Sequence, residues 1–413
     1  MSGHRGLRLL FPLLLIASLA LAAPSASAHP RWVASWAASP VAGSVIPWSD
    51  CPAGTGLGNQ TVRNVVFASV GGSQVRVRLS NAFGTTPLRV GHASVAVQAA
   101  NADAVPGTVR ELTFHGRRAV TVPPGRELFS DPVRLRVAAL STLLVSAYAP
   151  GPTGPLTNHP FTAQGNFLAT GDRVLAGGTD YGNTPCWMVA GGVDVIPTRP
   201  IIGSVVALGD SITDTSATTG NANHRWPDFL ARRLNAVRGP TLSVVNAGLG
   251  GNRVLAAREE AFWGVPALER LERDVFAQTG VRTVILMEGV NDIGFDATAE
   301  DLIAGLREIA DRTHAAGLRV IGGTITPFGG SFIETDQRTQ TWLTVNDWIR
   351  DSGTFDAVVD FAAATAAPDD PTALNPTYDS GDHLHPNDAG TEAMAAAIDL
   401  SLLLPAHCRC LAG

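Results

Sequence analysis

From Trp32 to about Val195 the chain alternates apolar and polar residues over short stretches. In Gln74-Val-Arg-Val-Arg-Leu79, Val75, Val77 and Leu79 share one face while Gln74, Arg76 and Arg78 share the other. Val133-Arg-Leu-Arg-Val137 repeats the pattern. A period of two is that of a half-buried strand. Val62 to Val70, Ala93 to Val97, Ala119 to Val122 and Thr142 to Tyr148 are further strand candidates. Turn residues separate many of them: Gly71-Gly72, Asn81, Gly84, Pro123-Pro124-Gly125 and Gly151-Pro152. With no good amphipathic helix among them, these segments predict an antiparallel β-sandwich. The Arg rows read as a solvated outer sheet face, with a grip on an acidic glycan as the alternative. Trp32, Trp36 and Trp48 read as core, with a platform for sugar rings as the alternative. The Gly- and Pro-rich stretch from Gly177 to Pro200 reads as a linker.

At Ile202 the period changes. Val205 to Leu208 is a continuous apolar run, the pattern of a parallel strand buried on both faces. Within His224 to Val237, Trp226, Phe229, Leu230 and Leu234 recur at helical spacing. A strand at Leu242 to Val245, a helix around Pro266 to Ala277 and a strand at Val281 to Met287 follow. Thr298, with Asp301 three residues on, makes a capping-box-like helix start. Leu302, Leu306, Ile309 and Ala310 form that helix's apolar stripe, and Gly317 ends it. Leu318 to Ile321, a helix carrying Trp342, Val345 and Ile349, a strand at Ala357 to Val359 and a helix from Asp388 complete the set. Five strands alternating with helices predict a parallel sheet covered on both faces, a three-layer α/β/α sandwich.

A length of 413 residues supports two domains, and 45% hydrophobic with 16% charged residues gives each an ample core. A net charge of −6 argues against nucleic acid or an anionic membrane surface as partner. All 30 basic residues are Arg. The absence of Lys excludes Ser–Lys hydrolysis, Schiff-base chemistry and a P-loop lysine. Arg5 and Arg8, an apolar stretch from Leu9 to about Ala23, and Ala26-Ser27-Ala28 read as a secretory signal cleaved after Ala28. That stretch falls short of the roughly 20 apolar residues needed to span a bilayer. The expectation is an exported protein without a stable membrane anchor. Four cysteines in such a protein suggest two disulfides. Cys51 and Cys186 are the preferred pair. Cys408 and Cys410 lie one residue apart, where a bridge is geometrically demanding.

The chemistry collects where strands end. Asp210 and Ser211 follow the first parallel strand, Asn246-Ala-Gly-Leu-Gly-Gly251-Asn252 the second, and Glu288-Gly-Val-Asn291-Asp292 the third. A later loop carries Asp382-His-Leu-His385-Pro-Asn. In a parallel sheet these segments emerge at one edge. Ser211 needs a base to become a nucleophile. His385 is the candidate, since a neutral imidazole takes the proton and returns it to the leaving alcohol. Asp382 can fold back onto the other ring nitrogen and fix its tautomer. The backbone N–H groups of Ser211 and Gly251 and the side-chain amide of Asn291 are candidate oxyanion donors. Two of them have a bland alternative: Gly251 as a turn glycine, Asn291 as a helix cap. His383 competes with His385 as base, but the Asp-x-x-His spacing favours His385. A metal site from Asp382, His383 and His385 lacks a further clustered ligand, so no metal is expected there.

These four blocks, in this order, resemble the SGNH (GDSL-type) hydrolase family. Gly209-Asp210-Ser211 matches its nucleophile block, Gly251 its glycine block, Gly289-Val-Asn291-Asp292 its Gly-x-Asn-Asp block and Asp382-x-x-His385-Pro its last block. The nucleophile block continues with Ile212 in place of the family's Leu. The resemblance covers about residues 200 to 403. It implies a flavodoxin-like α/β/α fold, esterase or lipase chemistry without a cofactor, and the roles given above. The preceding β-domain, jelly-roll-like, looks like that of a secreted bacterial subgroup related to xylanase-cluster arylesterases. The expected organisation is therefore a signal over 1–28, a β-sandwich over 29–195 and a hydrolase domain over 200–405. The expected activity is removal of short acyl groups, acetyl above all, from a small-molecule or polysaccharide ester. A lipase on longer chains and a glycan-binding protein with an idle hydrolase module are the alternatives.

Overall fold

The alternating segments pair into two antiparallel sheets. One runs in the order Val33–Ala37, Ala190–Pro197, Gly72–Asn81, Val133–Val137, with Arg126–Phe129 also on Gly72–Asn81. The other runs Gly182–Thr184, Asn166–Thr170, Gln60–Ala68, Ser141–Ala149, His92–Ala100, Asp103–Ala104. Val75, Val77, Leu79, Val193 and Val195 of the first share a buried core with Val62, Val66, Leu143 and Val145 of the second. Each such side chain, fully buried, contributes on the order of 1.5–3 kcal/mol. This computed structural model describes residues 32–214 and 217–404, together with Gly3. The signal segment with its Ala28 cleavage site, and Cys408 and Cys410, lie outside the described residues.

Two expectations fail in this half. The stretch from Gly177 to Pro200 is no linker: it holds strands Gly182–Thr184, Trp187–Met188 and Ala190–Pro197, the last lying inside its sheet. Gly192 answers to close packing, because a Cβ there would stand 3.1 Å from the Arg78 guanidinium. Nor do Arg76 and Arg78 form a solvated face. Arg76 pairs with Asp194 at 2.6 Å and reaches Thr279, and Arg78 donates to the Gly191 carbonyl at 3.0 Å and to Gln278 at 3.2 Å. Gln278 and Thr279 belong to the second half, so this face is an internal seam. Arg134 and Arg136 are exposed as expected. The tryptophans divide: Trp36 is buried, Trp32 half-buried, and Trp48 64% exposed.

In the second half, β1 (Ile201–Gly209), β2 (Thr241–Gly248), β3 (Val281–Met287), β4 (Arg319–Gly323) and β5 (Ala357–Val359) form one parallel sheet in the order β2-β1-β3-β4-β5. Val205 to Leu208 are fully buried, as a strand covered on both faces requires. Trp226, Leu230 and Leu234 of helix Trp226–Ala236 and Leu302, Leu306 and Ile309 of helix Ala299–Ala315 join that core. The Thr298 side chain caps the latter helix by accepting the Asp301 N–H at 3.1 Å. Between Pro266 and Ala277 the helix is broken, Ala267–Leu271 passing into a π turn over Glu272–Phe276. Both Arg270 and Asp274 are thereby buried beneath the sheet's carboxyl edge.

From Trp32 onward the two halves pack as one compact unit. The Ala34 N–H donates to the Thr279 carbonyl at 2.9 Å, Asn235 to the Ser69 carbonyl at 2.7 Å, and the Val244 N–H to the Ser69 hydroxyl at 3.2 Å. Cys51 and Cys186 form the expected disulfide, tying the loop that carries Trp48 to the strand region beside Pro185. Among the described residues no helix is long and apolar enough to cross a membrane.

Candidate active site

Ser211 opens a four-residue helix, Ser211–Asp214, immediately beyond β1. The Asp210 carboxylate accepts the Ile212 N–H at 3.0 Å and fixes the turn. The Ser211 hydroxyl lies 3.0 Å from His385 Nε2, and His385 Nδ1 lies 2.5 Å from Asp382 Oδ2. Asp382 Oδ1 accepts the N–H groups of Leu384 and His385 and the Ser380 hydroxyl. Partial burial works against its charge, yet the bonds to His385 and these donors hold its carboxyl well below the ordinary range. Residues from the end of β1 and from a loop 174 positions later thus stand in one hydrogen-bonded line. His383 is turned elsewhere: its Nδ1 pairs with Asp379 at 2.6 Å.

Gly251 and Asn291 line the same cleft as Ser211 and His385. Gly251 adopts φ +70°, and a Cβ there would stand 2.3 Å from the Trp263 ring, so only glycine fits. Asn291 donates one amide hydrogen to the Asn252 carbonyl at 2.9 Å, which orients the amide and leaves its second hydrogen for a ligand. Asp292 beside it is fully buried and accepts the Val254 and Leu255 N–H groups, holding the 250–255 loop against β3.

The support below was not among the candidates drawn from the sequence. Arg270 is fully buried. It donates to the Gly209 carbonyl (2.9 Å), the Ala247 carbonyl (2.7 Å), Asn252 Oδ1 (2.8 Å) and the Ser39 hydroxyl (3.1 Å), and it lies 3.3 Å from both Asp274 and Glu288. One guanidinium therefore joins the ends of β1 and β2, the glycine loop and the first half of the chain. Burial pushes the Glu288 and Asp210 carboxyls upward, against which Arg270 is the nearest counter-charge for Glu288. The i,i+4 spacing of Arg270 and Asp274 is the sequence signal that could have marked this pair.

The cleft above Ser211 has a volume of about 710 Å³. Trp48 and Phe161 come to it from the first half, Trp263 and Phe332 from the second. Trp48 meets Phe262 edge-on at 5.5 Å and Trp263 at 6.2 Å, and Phe161 lies 5.7 Å from Trp263. The Arg258 guanidinium lies over the Trp263 ring at 3.9 Å. Past Trp48, Gln164, Gly165 and Asn221 the wall is shared with a second hollow of about 1000 Å³, which contains Gln98, Asn101 and Asn183 and lies away from Ser211.

A hydroxyl in line with an imidazole and a carboxylate, beside N–H donors at the carboxyl edge of a parallel sheet, is equipped for acyl transfer. Residues 207–393 match the model of the GDSL-like Lipase/Acylhydrolase family. The match supports that family for this segment, and the protein is a carboxylic ester hydrolase. No curated protein matches the chain. Solved structures it is similar to include a carbohydrate acetylesterase from Sinorhizobium meliloti, at 14% identity over 49% of this chain and 100% of that one, TM-score 0.39. An acetyl-xylooligosaccharide esterase variant from Geobacillus Stearmophilus matches at 23% identity over 50% and 96%, TM-score 0.37. A lipase/acylhydrolase from Enterococcus faecalis matches at 24% identity over 47% and 92%, TM-score 0.36.

Proposed function

We propose that this is an exported esterase that removes short acyl groups, chiefly acetyl, from carbohydrate, working through Ser211, His385 and Asp382. Ser211 Oγ attacks the ester carbonyl as His385 Nε2 takes its proton. The Asp382 carboxylate holds the ring in the productive tautomer and stabilises the imidazolium. The developing oxyanion is met by the N–H groups of Ser211 and Gly251 and by the Asn291 amide. The tetrahedral intermediate collapses, and His385 returns the proton to the departing alcohol. A water activated by His385 then releases the acid from the acyl-enzyme. The observation that carries this reading is the Ser211–His385–Asp382 line opening into an aromatic-walled cleft.

The strand order of the second half supports reading it as flavodoxin-like, with ligands at the carboxyl edge. A disulfide supports export. Trp48, Trp263 and Phe161 offer faces to the apolar side of a sugar ring, and Gln164, Asn221 and the amides of the adjoining hollow suit its hydroxyls. The exposed Phe332 and the neighbouring Leu384 favour the second reading, a lipase for longer acyl chains. A series of p-nitrophenyl esters from C2 to C16 separates the two, with the highest kcat/KM expected at C2; a maximum at C8 or beyond rejects the short-acyl reading. On acetylated xylan, Trp48→Ala is expected to raise KM roughly three- to tenfold, the scale of one aromatic contact. Ethyl acetate, whose alcohol part is too small to reach Trp48, should show a smaller change, and equal changes on both substrates would remove the sugar platform.

Asn291→Ala tests the oxyanion donor separately. Loss of one such donor costs about 2.7–4 kcal/mol in the transition state, so kcat on p-nitrophenyl acetate should fall by about 10²–10³ with little change in KM. A variant with undiminished kcat would return Asn291 to a merely structural place.

A further inference from the structure

His159 lies in the short strand Asn158–His159 of the β-rich half, yet its ring enters the other half. Nδ1 is 2.7 Å from the Ser39 carbonyl. Nε2 is 2.9 Å from Asp214 Oδ1 and 3.1 Å from the Phe161 carbonyl. The His159 and Asp214 side chains are only 3% and 4% exposed. A carbonyl has no proton to give, so Nδ1 must carry one, and Nε2 shares another with the Asp214 carboxylate. The Trp187 ring lies 5.2 Å away and helps fix the imidazole plane.

Asp214 is the last residue of the helix that Ser211 begins. Its Oδ2 accepts the Gly250 N–H at 3.0 Å, and its carbonyl accepts Arg225 Nε at 2.5 Å. Phe161, two residues from His159, closes over the same loop: a Cβ on Gly250 would stand 2.8 Å from its ring. Gly250 is thus held by Asp214 at its N–H and by the Phe161 ring at its Cα. Among the described residues nothing accepts the Gly251 N–H, which is left to serve the cleft.

We propose that the His159–Asp214 pair is a positioning device for the oxyanion loop, making the β-rich half a working part of the catalytic centre. The proposal rests on reading Gly251 as an oxyanion donor. The Asp214 bond fixes the Leu249–Gly250 peptide and the Phe161 ring crowds the Gly250 Cα. Together they restrict the Gly250 backbone angles that aim the next peptide, the one carrying the Gly251 N–H. Misplacing a reacting group by about 1 Å costs on the order of 10²-fold in rate. His159 holds the Asp214 carboxylate in the orientation that the Gly250 bond needs. Asp214, Arg225 and Asp228 are the charged groups that line the small cavity around the ring. Burial works against a charge on His159, and Arg225 does too. The Asp214 carboxylate and the Ser39 carbonyl outweigh them and hold its pKa above the ordinary value. The stabilisation is therefore complete below the unfolded-state pKa and is lost as pH rises through the folded one. Above that, the bare Nε2 lone pair faces a carboxylate and the loop is released.

The test is kcat and KM on p-nitrophenyl acetate from pH 5 to 10 for wild type, His159→Asn, Asp214→Asn and the double variant, with melting temperatures alongside. The expected result is a fall in kcat of about 10²-fold in each single variant, with KM within about threefold. The double variant should be no worse than the poorer single one, and the alkaline decline of wild-type kcat should vanish once residue 159 cannot titrate. A folded His159→Asn variant with wild-type kcat, a loss confined to KM, or losses that simply multiply would overturn the proposal. Should His159→Asn not fold, Asp214→Asn keeps the shape and carries the test. Nitrogen-15 NMR of the wild-type ring is a second readout, and protons on both nitrogens at neutral pH are expected. A ring with one bare nitrogen there would contradict the proposal. Failure of the site reading itself looks different: Ser211→Ala would then retain activity whatever residue 159 is.

Discussion

Ser211→Ala should lower kcat on p-nitrophenyl acetate by about 10⁴–10⁶-fold while leaving the melting temperature within about a degree of wild type. The hydroxyl lies 3.0 Å from His385 Nε2. Its loss removes the covalent route, and what survives is the contribution of the oxyanion donors and of binding. His385→Ala should cost a similar amount, because a hydroxyl without its base is no better than none. Combining the two should add little, since residues acting as a unit are strongly non-additive. A fluorophosphonate probe provides an independent check by labelling wild type and sparing Ser211→Ala. Label retained on that variant, or losses that multiply, would place the chemistry elsewhere, and absence of labelling in active wild type would favour a different nucleophile.

Arg270→Met should be the most damaging single change to stability, at roughly 3–5 kcal/mol, the range for breaking a buried ion pair from one side. Methionine fills much of the volume, so the cavity contribution is small. What is lost is the donor set for two sheet-edge carbonyls and the counter-charge for Glu288 and Asp274. Asp274 keeps Arg273 at 2.6 Å, whereas no second cation is within bonding distance of Glu288 among the described residues. The pH dependence follows. Glu288 is already held above its ordinary value by burial, and removing Arg270 raises it further. A carboxyl whose folded pKa lies above its unfolded one loses stability as pH rises between the two. With Glu288 pushed up to about 8 in wild type, both proteins keep it protonated below that value. The deficit of Arg270→Met should therefore widen only as pH rises from 8 towards 10, by denaturant unfolding at each pH. A deficit independent of pH would assign the loss to packing alone. Arg270→Lys, which keeps the charge and loses the planar fork, should recover only part of it.

Both predictions concern one sheet edge, and they differ in how far the sequence foretold them. Ser211, Gly251, Asn291, Asp382 and His385 stood out because each follows a strand or sits in a short block, and such blocks are local in sequence. The alternation in Gln74–Leu79 and the apolar run Val205–Leu208 gave strands for the same reason: periodicity is set by the backbone, whatever the partner. The Cys51–Cys186 pairing was also anticipated. The stretch from Gly177 to Pro200 misled because glycine marks two opposite things, a free backbone and a backbone pressed against a neighbour. At Gly192 the neighbour is the Arg78 guanidinium, which lies 114 positions earlier in the chain. Arg76 and Arg78 misled similarly, since polar positions on a strand point to water only when no second layer covers them.

The chain by itself determined most of its strands and helices and the short blocks that hold the proposed catalytic groups, because each of these depends on residues within a few positions of each other. Only the packing of the β-rich half onto the parallel sheet decided that Trp48 and Phe161 wall the cleft, that His159 meets Asp214 and that Arg270 binds Ser39. Those contacts join residues 55 to 231 positions apart, and no local pattern encodes a partner at that distance. Burying charge across such a seam is tolerable only when each group finds its counter-ion or acceptor, a condition that exists in the folded molecule and nowhere in the linear order of residues.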